Sequence, residues 1–159
     1  MTRRAKWLFP FLIPTLLVSI AQAQAGRNSR VLVSPEVGIQ AGRQFHDDEW
    51  IAGGYFRMPL FSVIDLRPSG DVALGGDHNY QLNGDLALHG PRDLAYFGAG
   101  VGWFHRDFGS GKESGTGLNL FVGFKPVPRP GTQVFIEGRW TRVEGISFFR
   151  VSVGGAWRL

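Results

Sequence analysis

From Phe149 to Leu159 the chain alternates with a period of two. Phe149, Val151, Val153, Trp157 and Leu159 share one parity, with Gly155 as the gap. Arg150, Ser152, Gly154, Ala156 and Arg158 share the other. Successive strand side chains point to opposite faces, so this spacing predicts a strand with one greasy and one small or charged face. The pattern recurs upstream and divides the chain into about eight segments of a length that crosses a bilayer at a tilt, roughly 9–11 residues. The first runs from Val31 to Gly42, with Val31, Val33, Val37 and Ile39 opposite Ser34, Glu36, Gly38 and Gln40. The second, Trp50 to Pro59, sets Trp50, Phe56 and Met58 against Tyr55 and Arg57. The third sets Ile64, Leu66, Val72 and Leu74 against Asp65, Arg67, Ser69 and Asp71, with a bulge or bend expected at Pro68.

The fourth segment, Asn79 to His89, places Tyr80, Leu82, Leu86 and Leu88 opposite Gln81, Asn83, Asp85 and Ala87. In the fifth, Leu94 to His105, Phe97, Ala99, Val101 and Trp103 oppose Tyr96, Phe104 and the glycine row Gly98, Gly100 and Gly102. The sixth, Gly115 to Pro126, sets Leu118, Leu120, Val122 and Phe124 against Asn119, Phe121, Gly123 and Lys125. The seventh, Thr132 to Val143, sets Val134, Ile136 and Trp140 against Phe135, Glu137, Arg139 and Thr141. With the C-terminus in the periplasm, outer loops fall near residues 43–49, 75–78, 106–114 and 144–146. Periplasmic turns fall near 60–61, 90–93 and 127–131. The third outer loop is expected to be the longest.

The N-terminus changes the setting. Arg3, Arg4 and Lys6 precede an apolar stretch from Trp7 to Ile20, followed by the small-residue patterns Ala21-Gln22-Ala23 and Ala23-Gln24-Ala25. This is the layout of a cleaved secretory signal over residues 1–25, leaving 26–159 as a single domain. Three of the 17 basic residues and none of the 13 acidic ones lie in that segment, so the mature chain is close to neutral. Its remaining basic residues are dispersed among acids, which argues against nucleic-acid binding. Cysteine is absent, which excludes a disulfide framework and thiol chemistry.

Alternation alone fits a soluble barrel, greasy inside, or a transmembrane barrel, greasy outside. Three features favour the second. The glycine row weakens a solvated strand, whereas in a narrow lumen it leaves room for Arg and Glu side chains from opposite strands. The polar face carries both signs: Asp65, Arg67, Asp71, Asp85, Glu137, Arg139 and Arg150. Such a set can pair across a lumen, with Arg150 expected to meet the seventh strand's acid. Trp50, Trp103 and Trp140 fall near outer strand ends, and Phe124 and Trp157 near inner ends, as two interfacial girdles require. The predicted fold is all-β: an eight-stranded antiparallel up-and-down transmembrane β-barrel.

The stretches YFGAGVGW (Tyr96 to Trp103), TGLNLFVGF (Thr116 to Phe124) and FRVSVGGAWRL (Phe149 to Leu159) make the chain resemble the small eight-stranded outer-membrane proteins of the OmpX, OmpA-barrel and opacity-protein group. The resemblance implies residence in a Gram-negative outer membrane, contact with its lipid and lipopolysaccharide, and handling by the barrel-assembly machinery. Members usually end in Phe, and this chain ends in Leu159.

Candidate chemistry is thin. A serine nucleophile needs an adjacent base; the best set is His105 with Asp107 and Ser110 or Ser114, in a glycine-rich loop that holds geometry poorly. His46, Asp47, Asp48 and Glu49, with Asp77 and His78 on the next loop, could approach a divalent cation, but the run lacks a binding-loop pattern. The reading is therefore of no catalytic, cofactor or metal residues. The expected role is structural or interactive, with a lumen closed by ion pairs and by Phe104, Phe121 and Phe135. A lipid A-modifying or ligand-binding barrel, a narrow pore and a soluble periplasmic barrel are the alternatives.

Overall fold

The computed structural model describes residues 34–159 except 76–78, 91–92, 108–111 and 127–130; Val31, Val33 and the 1–25 segment lie outside the described residues. Eight strands form in chain order: β1 (Glu36–Gln44), β2 (Glu49–Pro59), β3 (Ile64–Ala73), β4 (Tyr80–His89), β5 (Ala95–Asp107), β6 (Lys112–Phe124), β7 (Thr132–Val143) and β8 (Ile146–Arg158). Each pairs antiparallel with its sequence neighbour, and β8 returns to β1, closing the barrel. Closure leaves no unpaired sheet edge.

Both ends of the barrel strands, Glu36 and Arg158, meet at one rim, here the terminal rim; the opposite one is the distal rim. Three hairpins at the distal rim are longer than the sequence pattern implies. Asp107 pairs with Lys112, so most of the expected third loop is strand and only four residues separate β5 from β6. Gln44 pairs with Glu49. Val143 pairs with Ile146 across a two-residue turn in which Glu144 and Gly145 both have positive φ, 45° and 94°. Two left-handed residues give the turn whose twist matches its strands, and glycine takes the second at no steric cost. Apolar–polar contrast fades where both strand faces meet water, so alternation stops before pairing does.

Pro68 makes no bulge. The β2–β3 ladder is interrupted opposite it but resumes in unchanged register, with Tyr55 opposite Ser69 and Met58 opposite Leu66, while Pro68 keeps Gly84 as its β4 partner. The missing N–H costs ladder bonds without inserting a residue.

Burial is inside out. Outward positions are apolar and exposed, Leu118 to 62% and Val101 to 60%, while inward Glu137 and Asp65 are buried to 0% and 1%. A soluble barrel requires the reverse. The wall carries Ile39, Leu82, Leu86, Val122, Val134 and Val153 between the two rims.

Candidate functional site

The lumen holds most of the charge, in three tiers. Its middle is organised by glycine and ring partners facing each other on adjacent strands: Gly38 with Tyr55, Gly98 with Phe121, Gly123 with Tyr96, and Gly154 with Phe135. A Cβ on any of these four glycines would overlap the ring that lies across it. The four rings fill the lumen, and Arg67 sits among them, its guanidinium 3.9 Å from the Tyr55 ring centre and 5.3–5.7 Å from the other three. Cation–π contacts are strongest when desolvated, as here. The glycine row thus makes room for neighbours other than the Arg and Glu side chains expected: Gly98 faces Phe121, Gly100 faces Asp85, and Gly102 faces Asn83 and Asn119.

Within this tier Arg67 Nη1 donates to Glu137 Oε2. Glu137 also accepts from the Tyr96 hydroxyl at 2.9 Å and from Arg139 Nη2 and Nε at 3.1 and 3.2 Å. Arg139 Nη1 reaches Asp85 Oδ2 at 2.7 Å. Two guanidinium groups therefore balance two carboxylates, the arrangement that makes buried charge tolerable.

The distal tier centres on Asp71. Arg150 Nη1 donates to its Oδ2 at 2.8 Å and Gln40 Nε2 to its Oδ1 at 2.6 Å. Arg150 does not pair with Glu137; its cross-strand partner is Arg139, which directs Arg150 toward β3. An amide chain joins this tier to the middle one: Asn119 Nδ2 donates to Asn83 Oδ1 at 2.8 Å and to Asp85 Oδ1 at 3.2 Å, and the Thr141 hydroxyl donates to Asn119 at 2.8 Å.

The terminal tier was only partly visible in the sequence. Asp65 meets Arg57 Nε and His89 Nε2, the latter at 2.6 Å. Glu36 accepts from the Tyr55 hydroxyl at 2.7 Å and faces Arg57 at 3.2 Å and Lys125 at 3.4 Å. Asp93, from the β4–β5 turn, reaches four side chains: His89 Nδ1 at 2.6 Å, and the cations Arg57, Lys125 and Arg158 each at 3.2 Å. Its φ of 58° is a left-handed conformation that Asp tolerates. Burial opposes its ionisation, but the His89 hydrogen bond and the Lys125 and Arg57 charges hold its carboxyl well below the usual carboxylate range. Glu36, Arg57 and His89 all have inward parity, the signal that could have placed them here; nothing local marks Asp93.

The aromatic set lies on the outer wall. Trp50, Trp103 and the half-buried Trp140 stand toward the distal rim, and Phe124 and Trp157 toward the terminal rim. The loop candidates separate. His105 and Ser114 are strand residues directly opposite each other on the outward face, with Nδ1 and Oγ 2.9 Å apart. Ser110 and the Asp107 side chain lie outside the described residues. Asp47 pairs with Arg106 at 2.5 Å, Asp48 with Arg43, and Glu49 accepts from Asn79 at 3.0 Å. These acids are engaged by neighbouring donors, and Asp77 and His78 lie outside the described residues.

The same eight-stranded fold occurs in solved structures. The N-terminal β-barrel domain of Pseudomonas aeruginosa OprF superposes with a TM-score of 0.71 at 16% identity, over 79% of this chain and 97% of that one. It has the fold of the small outer-membrane barrels. Neisserial surface protein A matches at a TM-score of 0.58 and 9% identity, over 79% and 96%. Ail, the attachment invasion locus protein of Yersinia pestis, matches at 0.52 and 14%, over 79% and 97%. No family model and no curated protein matches the sequence.

Proposed function

We propose that the chain is an outer-membrane barrel with a closed lumen and a structural or interactive role, presenting short hairpins outside the cell and catalysing no reaction. The observation that carries this is the unbroken stack of three tiers. Eight strands leave an interior that side chains can fill, and here four rings and Arg67 do so at mid-height. Two cavities among the described residues are small: about 30 Å³ beside Asp71 and Arg150, and about 10 Å³ beside Glu36 and Arg57. Such volumes have room for about one or two waters; neither is wide enough for a hydrated ion. The apolar wall with aromatics toward both rims supports residence in a bilayer, with outer-membrane lipid and lipopolysaccharide around it and the barrel-assembly machinery as its route of entry.

Two measurements test this. Membrane fractionation with heat-dependent gel mobility should place the protein in the outer membrane as a species whose migration shifts on boiling. Planar-bilayer recording of the purified barrel should give no stable conductance steps. Recovery from the soluble periplasm overturns the membrane assignment, and steady unitary conductance overturns the closed lumen.

A further inference from the structure

The outward wall is polar on one side just above its distal aromatic girdle. Three outward aromatic residues are each followed, two positions nearer the rim on the same face, by a hydrogen-bonding residue: Trp103 by His105, Trp140 by Arg142, and Phe149 by Ser147. On β6, Thr116 is the direct partner of Trp103, and Ser114 that of His105. The five polar residues form a strip across β5, β6, β7 and β8, about 15 Å wide at the usual spacing of strands.

The strip is preorganised and uncommitted. His105 packs against Tyr80 (ring centres 4.9 Å apart) and Trp103 (6.1 Å), with Nδ1 on Ser114. Its Nε2 has no partner among the described residues. Arg142 is exposed and, among the described residues, has no ion pair. Ser114, Thr116 and Ser147 are exposed as well. Nearby acids turn away. Glu113 has lumen-side parity, opposite Arg106. The Glu144 carboxylate lies on the lumen side of β6, 3.5 Å from where a Cβ on Gly115 would stand. On β1, the strand next to β8, Arg43 is already paired with Asp48.

An unpaired guanidinium, an imidazole nitrogen and three hydroxyls at the height of a tryptophan girdle match a phosphate carried by lipid at the membrane surface. We propose that this strip binds the phosphate headgroup of an outer-leaflet lipid, with Arg142 as the principal charged contact and His105 as the second. The inference rests on the outer-membrane reading and names a lipid class and a contact face within it.

Native mass spectrometry of the full barrel in zwitterionic detergent tests it, with bisphosphorylated lipid A and fully dephosphorylated lipid A as probes. Wild type should prefer the phosphorylated lipid about tenfold, the size of a charge-assisted contact at an interface. Arg142→Gln should lose most of that preference, Arg142→Lys should keep part of it, and Arg43→Gln should keep it in full. Equal binding of the two lipids by wild type, or an unchanged preference in Arg142→Gln, overturns the proposal. Boiling-dependent gel mobility is read on every sample. A wild-type chain that forms no heat-modifiable species overturns the outer-membrane reading and this proposal with it, whereas a closed barrel indifferent to phosphate overturns this proposal alone.

Discussion

Arg139→Ala probes the energetics of the lumen most directly. The side chain is 1% exposed, bonded to Asp85 at 2.7 Å and to Glu137 at 3.1 and 3.2 Å, with its guanidinium 4.7 Å from the Phe121 ring centre. Without it, Glu137 keeps Arg67 and the Tyr96 hydroxyl. Asp85 keeps Asn119 Nδ2 at 3.2 Å, a neutral donor. The middle tier then holds two carboxylates against one guanidinium. Stranding a buried charge costs about 3–5 kcal/mol, and that loss is expected in urea unfolding of the barrel from phospholipid vesicles, followed by tryptophan fluorescence. Adding Asp85→Asn removes the stranded charge, so the double variant should be more stable than Arg139→Ala alone, with a coupling of about 1–3 kcal/mol. The exposed pair Arg43 and Asp48 is the contrast: Arg43→Ala should cost less than about 1 kcal/mol. The reasoning fails if Arg139→Ala lies within about 0.5 kcal/mol of wild type, or if the double variant loses the sum of the two single losses.

Other tests use the same barrel. Gly98→Ala drives a methyl into the Phe121 ring and the Leu86 carbonyl and should cost about 1–3 kcal/mol or prevent closure; Gly84→Ala, with open space around it, should be within about 0.5 kcal/mol of wild type, and equal losses at the two sites would refute the ring-on-glycine account. Asp93 has a folded-state pKa below its unfolded value, so its contribution is complete above the ordinary carboxylate range, near 4, and is lost as pH falls below it toward the folded value. Unfolding free energies measured from pH 7 to pH 2 should show this acid limb, and Asp93→Asn, which tolerates the left-handed backbone, should lower stability at pH 7 and flatten the limb; a limb unchanged in the variant would assign it elsewhere. Lipid A isolated from cells with and without the protein should have the same mass profile, whereas a shift of one acyl chain that Ser114→Ala abolishes would show catalysis at His105 and Ser114.

Parity was legible from the sequence, and pairing was not. A strand repeats every two residues whatever surrounds it, so Asp65, Arg67, Asp71, Asp85, Glu137, Arg139 and Arg150 could be assigned one face before any register was known, and all seven are buried together in the lumen. Which cation meets which acid depends on how far each strand slides against the next. Arg150 shows the consequence: proximity in sequence to β7 pointed to Glu137, whereas the β7–β8 register sets Arg150 opposite Arg139, and repulsion between like charges favours Asp71 on β3. His89 ends β4, and its inward parity at the rim puts both ring nitrogens against carboxylates.

The glycine row connects what could be read with what could not. Glycine on the inward face signals that something bulky lies against the strand; its identity follows only from the hairpin. Once Asp107 pairs with Lys112, antiparallel counting brings Phe121 opposite Gly98 and Gly123 opposite Tyr96. The same relation ties Gly38 to Tyr55 and Gly154 to Phe135. Each ring covers a backbone that glycine leaves bare, and the four rings together enclose Arg67 where no water competes for it. The hairpin registers therefore set the hydrophobic half of the lumen, and the charges occupy the places that remain. This explains why the space over the glycines is taken by rings, Asp85, Asn83 and Asn119 rather than by the Arg and Glu side chains that the charge pattern suggested.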